Sequence, residues 1–205
     1  MVPISKFQCE FLALFPSILD PFIEQYNIQI TGIEIQDKNK KKLEDSQFVT
    51  LTGKQPNLDS ALIKFNTITS QIKTRALECK FGPHESIFRE YIEKKLITTA
   101  QIQGQVLASG STSDQRSFLL VVINLVAMET EMANCSTAVK SMSDSLTSEE
   151  YIFPGTVPPL NKVEQDFDVK IIEENKKHRI FGPKDTITAV KEHLNLMLGK
   201  EFFSS

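Results

Sequence analysis

Three histidines, three cysteines and a few runs of like charge are the residues with which this 205-residue chain could do chemistry. His84 is followed by Glu85, but the HExxH spacing that sets two imidazoles on one helical face is absent. His178 and His193 likewise have no ligand at metal spacing, so all three read as surface or cap residues. Ser109-Gly110-Ser111 lacks the GxSxG of a nucleophile elbow. Gly104–Gly110 lacks the lysine of a phosphate loop. Glu129 and Glu131 stand two apart, which on a helix turns their carboxylates in different directions, so they are not a paired acid and base. Cys9, Cys79 and Cys135 are odd in number, far apart and without CxxC spacing, which indicates neither a disulfide framework nor a zinc site. Reduced thiols in a cytoplasmic and/or nuclear protein are the simplest reading. No enzyme, metal or cofactor is expected.

Binding chemistry offers more. Lys38, Lys40, Lys41 and Lys42 form one basic loop, and Lys176, Lys177, His178 and Arg179 a second. With Lys54, these cations could attract phosphate without regard to sequence and with strong dependence on salt. Glu44, Asp45, Glu173 and Glu174 stand beside them and would blunt the effect. The net charge of -3 gives no global pull toward nucleic acid or an anionic membrane. No secretion signal or membrane span is read. The ending Phe202-Phe203-Ser204-Ser205 is compatible with a fragment of a longer protein.

With 40% apolar and 24% charged residues, the chain is expected to bury an ordinary globular core. Phe7, Phe11, Leu14 and Phe15 give a helical stripe stopped by Pro16, and Pro21 opens a second helix, Phe22–Tyr26. Ile28–Ile35 and Phe48–Thr52 read as strands, and Leu58–Lys73 as a helix with Leu58, Leu62, Phe65, Ile68 and Ile72 inward, capped by Asn57 or Asp59. A second round follows: strand Ala76–Phe81, helix Ser86–Leu96 showing Ile87, Tyr91 and Ile92 on one side, and a hairpin of Thr99–Gln103 with Val106–Ser109. Phe118–Met128, apolar except for Asn124, is rich enough in Val and Ile to be a buried strand, but its length with the flanks Ser113–Asn134 favours a helix. It lies either inside the core or against a neighbouring module or second chain. In the third round Thr137–Met142 is a possible strand, Leu160–Phe167 a helix, Val169–Ile172 a strand, Lys176–Arg179 a basic turn, and Thr186–Leu198 a helix with Ile187, Val190, Leu194 and Leu198 inward.

The first and third rounds also match in sequence. Pro21-Phe-Ile-Glu-Gln-Tyr-Asn-Ile-Gln-Ile30 resembles Pro159–Ile171, each running from proline through an apolar helix and Glu-Gln to an alternating strand. Leu51-Thr-Gly-Lys54 resembles Ile180-Phe-Gly-Pro183. One supersecondary unit is therefore used several times. The order strand–helix–helix–strand–strand–helix gives an α+β chain of three modules, at 1–75, 76–135 and 136–200, each a three-stranded antiparallel sheet with helices on one face.

That order, with an apolar strand, Gly and a closing helix carrying an early Ala, resembles KH modules. The run from Val2-Pro3 to Glu78-Cys79 is similar to the degenerate KH-like arrays of the deltex-3-like E3 ubiquitin ligase and of large macrodomain-containing ADP-ribosyltransferases. The resemblance implies a place in a ubiquitin-ligase or ADP-ribosylation assembly whose catalytic parts lie outside this chain. A nucleic-acid-binding KH module normally carries GxxG between its first two helices. The corresponding junctions here read Phe15-Pro-Ser-Ile18, Arg89-Glu-Tyr-Ile92 and Phe153-Pro-Gly-Thr156, and no GxxG occurs anywhere in the chain. The leading expectation is a protein-binding scaffold that self-associates or docks a partner through Phe118, Leu119, Val122 and Leu125. The alternative is single-strand RNA or DNA binding through Lys40, Lys41, Lys42, Lys54, Lys176, Lys177 and Arg179.

Overall fold

The structure, a computed structural model, describes residues 1–33, 46–153, 157–174 and 177–202. The chain is α+β, with three separate three-stranded antiparallel sheets in three tandem modules. The first module runs β1 (Val2–Ser5), α1 (Lys6–Leu14), a 3₁₀ turn (Pro16–Ile18), α2 (Asp20–Tyr26), β2 (Gln29–Thr31), β3 (Ser46–Thr52) and α3 (Asn57–Gln71). The second runs β4 (Ile72–Phe81), a 3₁₀ segment (Pro83–Phe88), α4 (Arg89–Ile102), β5 (Val106–Asp114), β6 (Leu119–Met128) and α5 (Glu129–Ser145). The third runs β7 (Leu146–Tyr151), α6 (Leu160–Phe167), β8 (Lys170–Glu174), β9 (Lys177–Pro183) and α7 (Lys184–Phe202). The strand orders are β1-β3-β2, β4-β6-β5 and β7-β9-β8, so the last strand of each module is always central. No linker separates the modules: α3 passes directly into β4 and α5 into β7. The joints expected at 75/76 and 135/136 fall inside β4 and α5.

Local chemistry explains several boundaries. Ser5 and Gln8 form a reciprocal capping box at the start of α1, and Pro16 ends that helix because the residue before proline is driven from the α region. The buried side of α1 is Cys9, Phe11 and Leu12; Phe7 and Leu14, expected inward, are exposed. In α3 the inward residues are Ala61, Phe65 and Ile68 rather than Leu62, and no side chain caps it, Asn57 instead donating to the Tyr26 carbonyl. Ile187, Val190, Leu194 and Leu198 of α7 are buried as expected.

Phe118–Met128 is the main correction, because it forms the central strand β6 and not a helix. Its odd positions, Leu119 to Ala127, are buried, and its even positions, apart from exposed Asn124, are apolar and at least half-buried, so the sequence shows no polar alternation. Its flanks, which lengthened it into a helix on paper, belong to β5 and α5. The closing helix of the middle module is α5, which absorbs Thr137–Met142, expected as a strand. Likewise Thr99–Ile102 is the end of α4, and Val106–Asp114 alone is the first hairpin strand. Ser86–Phe88 is 3₁₀, so the helix begins only at Arg89.

The repeat of first and third modules reaches backbone detail. Helices α2 and α6 both end on a left-handed residue, Asn27 (φ 47°) and Asp168 (φ 49°). The next amide, Ile28 or Val169, donates back to Ile23 or Glu164 at 3.3 and 3.2 Å. Both Ile28 and Val169 are buried, and each lies where a Cβ on Gly53 or Gly182 would come within 2.8 Å of its methyl. Aligned this way, Phe22 answers to Val163, both buried, and the two Glu-Gln pairs fall one residue out of step.

The chain divides into two compact units. One comprises Met1–Leu77, Ala100–Ser109 and Asn124–Ser136; the other comprises Glu78–Thr99, Gly110–Ile123 and the chain from Thr137 onward. In the first, Phe11, Leu12, Phe22, Val49, Phe65 and Ile72 form a core that Val126 joins, with Leu107 and Met128 packed against it. In the second, Val163, Val169, Ile171, Ile180, Val190 and Leu194 form the core between the third sheet and its helices.

Candidate binding surfaces

The junctions that would carry GxxG have no phosphate clamp where they are described. In the first, Pro16 contributes no amide, and the Ile18 and Leu19 amides are spent on Phe15 and Pro16 carbonyls at 3.2 and 2.8 Å. The second, Arg89–Ile92, is no loop but the first turn of α4. There Arg89 pairs with Asp114 at 2.7 Å. In the third, residues 154–156 lie outside the described residues.

The basic cluster is neutralised by its own sheet. The expected turn Lys176–Arg179 is largely strand: Lys177 to Arg179 open β9, and the alternation of a strand separates them. His178 is buried, edge-on to Phe153 at 4.7 Å, while Lys177 and Arg179 share the opposite face. Glu150, opposite Arg179 on β7, takes Lys177 at 2.9 Å and Arg179 at 3.6 Å; Glu174 reaches Arg179 at 3.5 Å. The hydrogen bond and charge of Lys177, then the charge of Arg179, hold the Glu150 carboxyl below its usual range. Two cations thus meet two carboxylates. Lys54 is exposed. Lys40, Lys41, Lys42 and Lys176 lie outside the described residues.

The four proposed interface residues do not share a face. Leu119 and Leu125 are fully buried, whereas Phe118 and Val122 are half-buried, because a strand of period two sends odd and even positions to opposite sides. Lys80 lies over the Phe118 ring at 5.2 Å.

Sequence reasoning missed a contact made by the outer sheet faces, those turned away from a module's own closing helix. In the second unit, Phe181 of β9 is fully buried under the Pro83–Tyr91 segment of the preceding module. Its ring stacks on Phe88 at 4.7 Å and meets the edge of Tyr91 at 5.8 Å. Around it Tyr91 donates to the Asp168 carbonyl, Lys95 pairs with the Asp168 carboxylate, and Ser148 donates to Glu85 at 3.2 Å. Burial pushes the Tyr91 phenol well above its ordinary value, with the Asp168 charge adding to the effect. In the first unit, Val126 occupies the matching place: it lies three residues before α5, as Phe181 lies three before α7. It faces away from Leu125 and Ala127 and is buried in the core that includes Phe15 and Ile18. Gln105, just before β5, donates to Ser17 in the 3₁₀ turn at 3.3 Å.

The nucleophile candidates are quiet. Cys9, Cys79 and Cys135 are buried, and burial raises the thiols of Cys79 and Cys135, leaving less of the reactive thiolate. A shallow cleft of about 570 Å³ beside Cys79 is lined by Lys80, Lys140, Ser143 and Asp144, with no histidine to act as base. Among the described residues, no group of three or more His, Cys, Asp or Glu is placed to hold a metal, and no helix is long and apolar enough to cross a membrane.

No family model matches the chain, and no curated protein matches it significantly. A solved structure described as "KH domains" is similar over 94% of this chain, at 11% identity and a TM-score of 0.33. The match takes in 61% of that structure's chain, so this chain spans about six tenths of its length.

Proposed function

We propose that this chain is a non-catalytic scaffold of three tandem KH-like modules whose work is to bind protein, by self-association or by docking a partner. The observation that carries the reading is the loss of phosphate chemistry where a KH module would need it. At the first junction Pro16 has no amide and the Ile18 and Leu19 amides are spent, the second junction is helix, and Lys177 and Arg179 of the third module are paired with Glu150 and Glu174. What the modules keep is the sheet-on-helix contact at Val126 and Phe181, an apolar contact between modules. The family resemblance extends the proposal to a ubiquitin-ligase or ADP-ribosylation assembly in the cytoplasm or nucleus, with the chemistry done by other domains. Exposed Lys54 favours single-strand RNA or DNA binding as the second reading.

Light scattering combined with fluorescence anisotropy on single-stranded RNA and DNA separates the two. The scaffold reading expects a mass above that of one chain, insensitive to salt, and no measurable nucleic-acid binding at low salt. Tight binding that weakens steeply with salt, and is lost when Lys54 and Lys40–Lys42 become glutamate, would overturn it.

A further inference from the structure

A strand at the edge of a sheet presents a row of unpaired amides and carbonyls that accept a further strand, and folded chains guard such edges with charge, proline or short length. In the first sheet β1 carries Pro3 and β2 is only 3 residues long. In the third, β7 carries Glu149 and Glu150, and β8 carries Lys170, Glu173 and Glu174. In the second, β4 carries Lys73, Arg75, Glu78 and Lys80. The remaining edge strand, β5, has none of these devices. It runs for 9 residues, Val106-Leu-Ala-Ser-Gly-Ser-Thr-Ser-Asp114, without proline, and its one charge is its last residue.

The part of β5 within the second unit, Gly110–Asp114, is fixed by α4. Glu93 lies so close to Gly110 that a Cβ there would come within 2.5 Å of its Cγ. Arg89 of the same helix pairs with Asp114 at 2.7 Å. Ser111 and Ser113 are exposed and Thr112 is half-buried, as the alternation of a strand requires. Among the described residues, no backbone hydrogen bond from Gly110–Asp114 reaches an element outside its own sheet.

The stretch is also complementary to itself. Turned antiparallel about Thr112, it sets Ser111 against Ser113, Gly110 against Asp114, and Thr112 against its own copy. Ser and Thr opposite one another exchange cross-strand hydrogen bonds. Asp114 is already answered by Arg89, so no unpaired ion enters the seam. A folded second copy that adds a strand here must itself offer an unguarded edge. Among the described strands, β5 alone offers one.

We propose that Gly110–Asp114 is the site at which a second copy of this chain adds its own β5, antiparallel, joining the two middle sheets into one. The same patch is used on both copies, so the contact closes about a two-fold axis and stops at two chains. This rests on the self-association form of the function proposed above.

The test uses the whole chain and two double variants at exposed positions, Ser111→Lys with Ser113→Lys, and Ser111→Glu with Ser113→Glu. Circular dichroism and thermal melts confirm that each folds as wild type. Light scattering against concentration should show wild type rising from the mass of one chain to that of two. Each double variant should remain at one chain, because like charges then face each other across the axis. An equimolar mixture of the two should recover the dimer. Thr112→Cys supplies a second measurement that needs no charged variant: treated with diamide, it should form a disulfide between two chains, the native cysteines being buried. A wild-type dimer that persists in both double variants would overturn this inference and leave self-association through another surface standing. Absence of the Thr112→Cys cross-link where wild type is a dimer would do the same. A mixture that stays monomeric, or a wild-type mass that climbs past two chains, would overturn the two-fold pairing. A wild type of single-chain mass at every concentration would overturn the inference and leave docking of a different protein as the scaffold's work.

Discussion

The first and third modules share the run from α2 or α6 through two strands to the closing helix, although no counterpart of α1 is described in the third. Both end α2 or α6 on a left-handed Asn or Asp, and both pack a glycine against the next apolar residue. Their sheets differ on the outside: Phe181 is sealed under Phe88 and Tyr91, whereas Thr52 faces water. Features that hold a module together recur at both places. The residue that joins a module to its neighbour is large where a neighbour sits on it and small where none does. In this protein the inner face carries the fold, and the outer face carries the association between modules.

The comparison breaks most visibly at the outer face. Phe181→Ala should cost about 3–5 kcal/mol, the range for emptying a fully buried aromatic site, while Thr52→Ala should stay within about 0.5 kcal/mol of wild type. Denaturant titration monitored by circular dichroism checks both, and equal costs would erase the distinction. The inner faces should behave alike. Gly182→Ala and Gly53→Ala each press a methyl to 2.8 Å from an apolar side chain, and each should cost about 1–3 kcal/mol. A large inequality between the two glycines would mean that the repeat is only approximate at this contact.

Smaller effects belong to the groups around Phe181. Tyr91→Phe removes the hydrogen bond to the Asp168 carbonyl and should cost about 0.5–1.5 kcal/mol. It should also flatten an alkaline slope. Because the folded phenol is raised, its contribution is intact below the ordinary tyrosine value of about 10 and is lost as pH climbs above it. Wild type should therefore lose more stability than the variant on alkaline titration. The smallest effect is at Glu150. Its folded carboxyl is lowered, so its contribution is present above the ordinary carboxylate range and disappears as pH falls through the lowered value. Glu150→Gln should remove that part of the acid slope, with little change at neutral pH, as expected of an exposed ion pair.

Much of the inner architecture was legible in the sequence, because periodicity reports burial against a module's own sheet. The α7 stripe and the α6 helix could both be read from spacing. The misreading of Phe118–Met128 has a definite cause. Period-two alternation marks a strand only while the outward positions are polar, and in β6 the half-buried outward positions Leu120, Val122 and Met128 are apolar too. The cations of β9 were misjudged for a different reason. Glu173 and Glu174 are neighbours in sequence, but Glu150, which takes both Lys177 and Arg179, becomes a neighbour only through strand register. The Phe88–Phe181 stack is the same kind of long-range fact, invisible to any window along the chain.

The absence of linkers at Gln71–Ile72 and Ser145–Leu146 has a practical consequence. Proteases cut where backbone is extended, exposed and free of hydrogen bonds, and at these joints a helix hands its last residue straight to a strand. Limited digestion will therefore not release the modules one by one, and fragments cut by gel pattern would split a module and leave an unpaired strand edge. A single module is best isolated by cutting the gene at 71/72 or 145/146. It should then be less soluble than the whole chain, since the outer face around Val126 or Phe181 would be stripped of its cover.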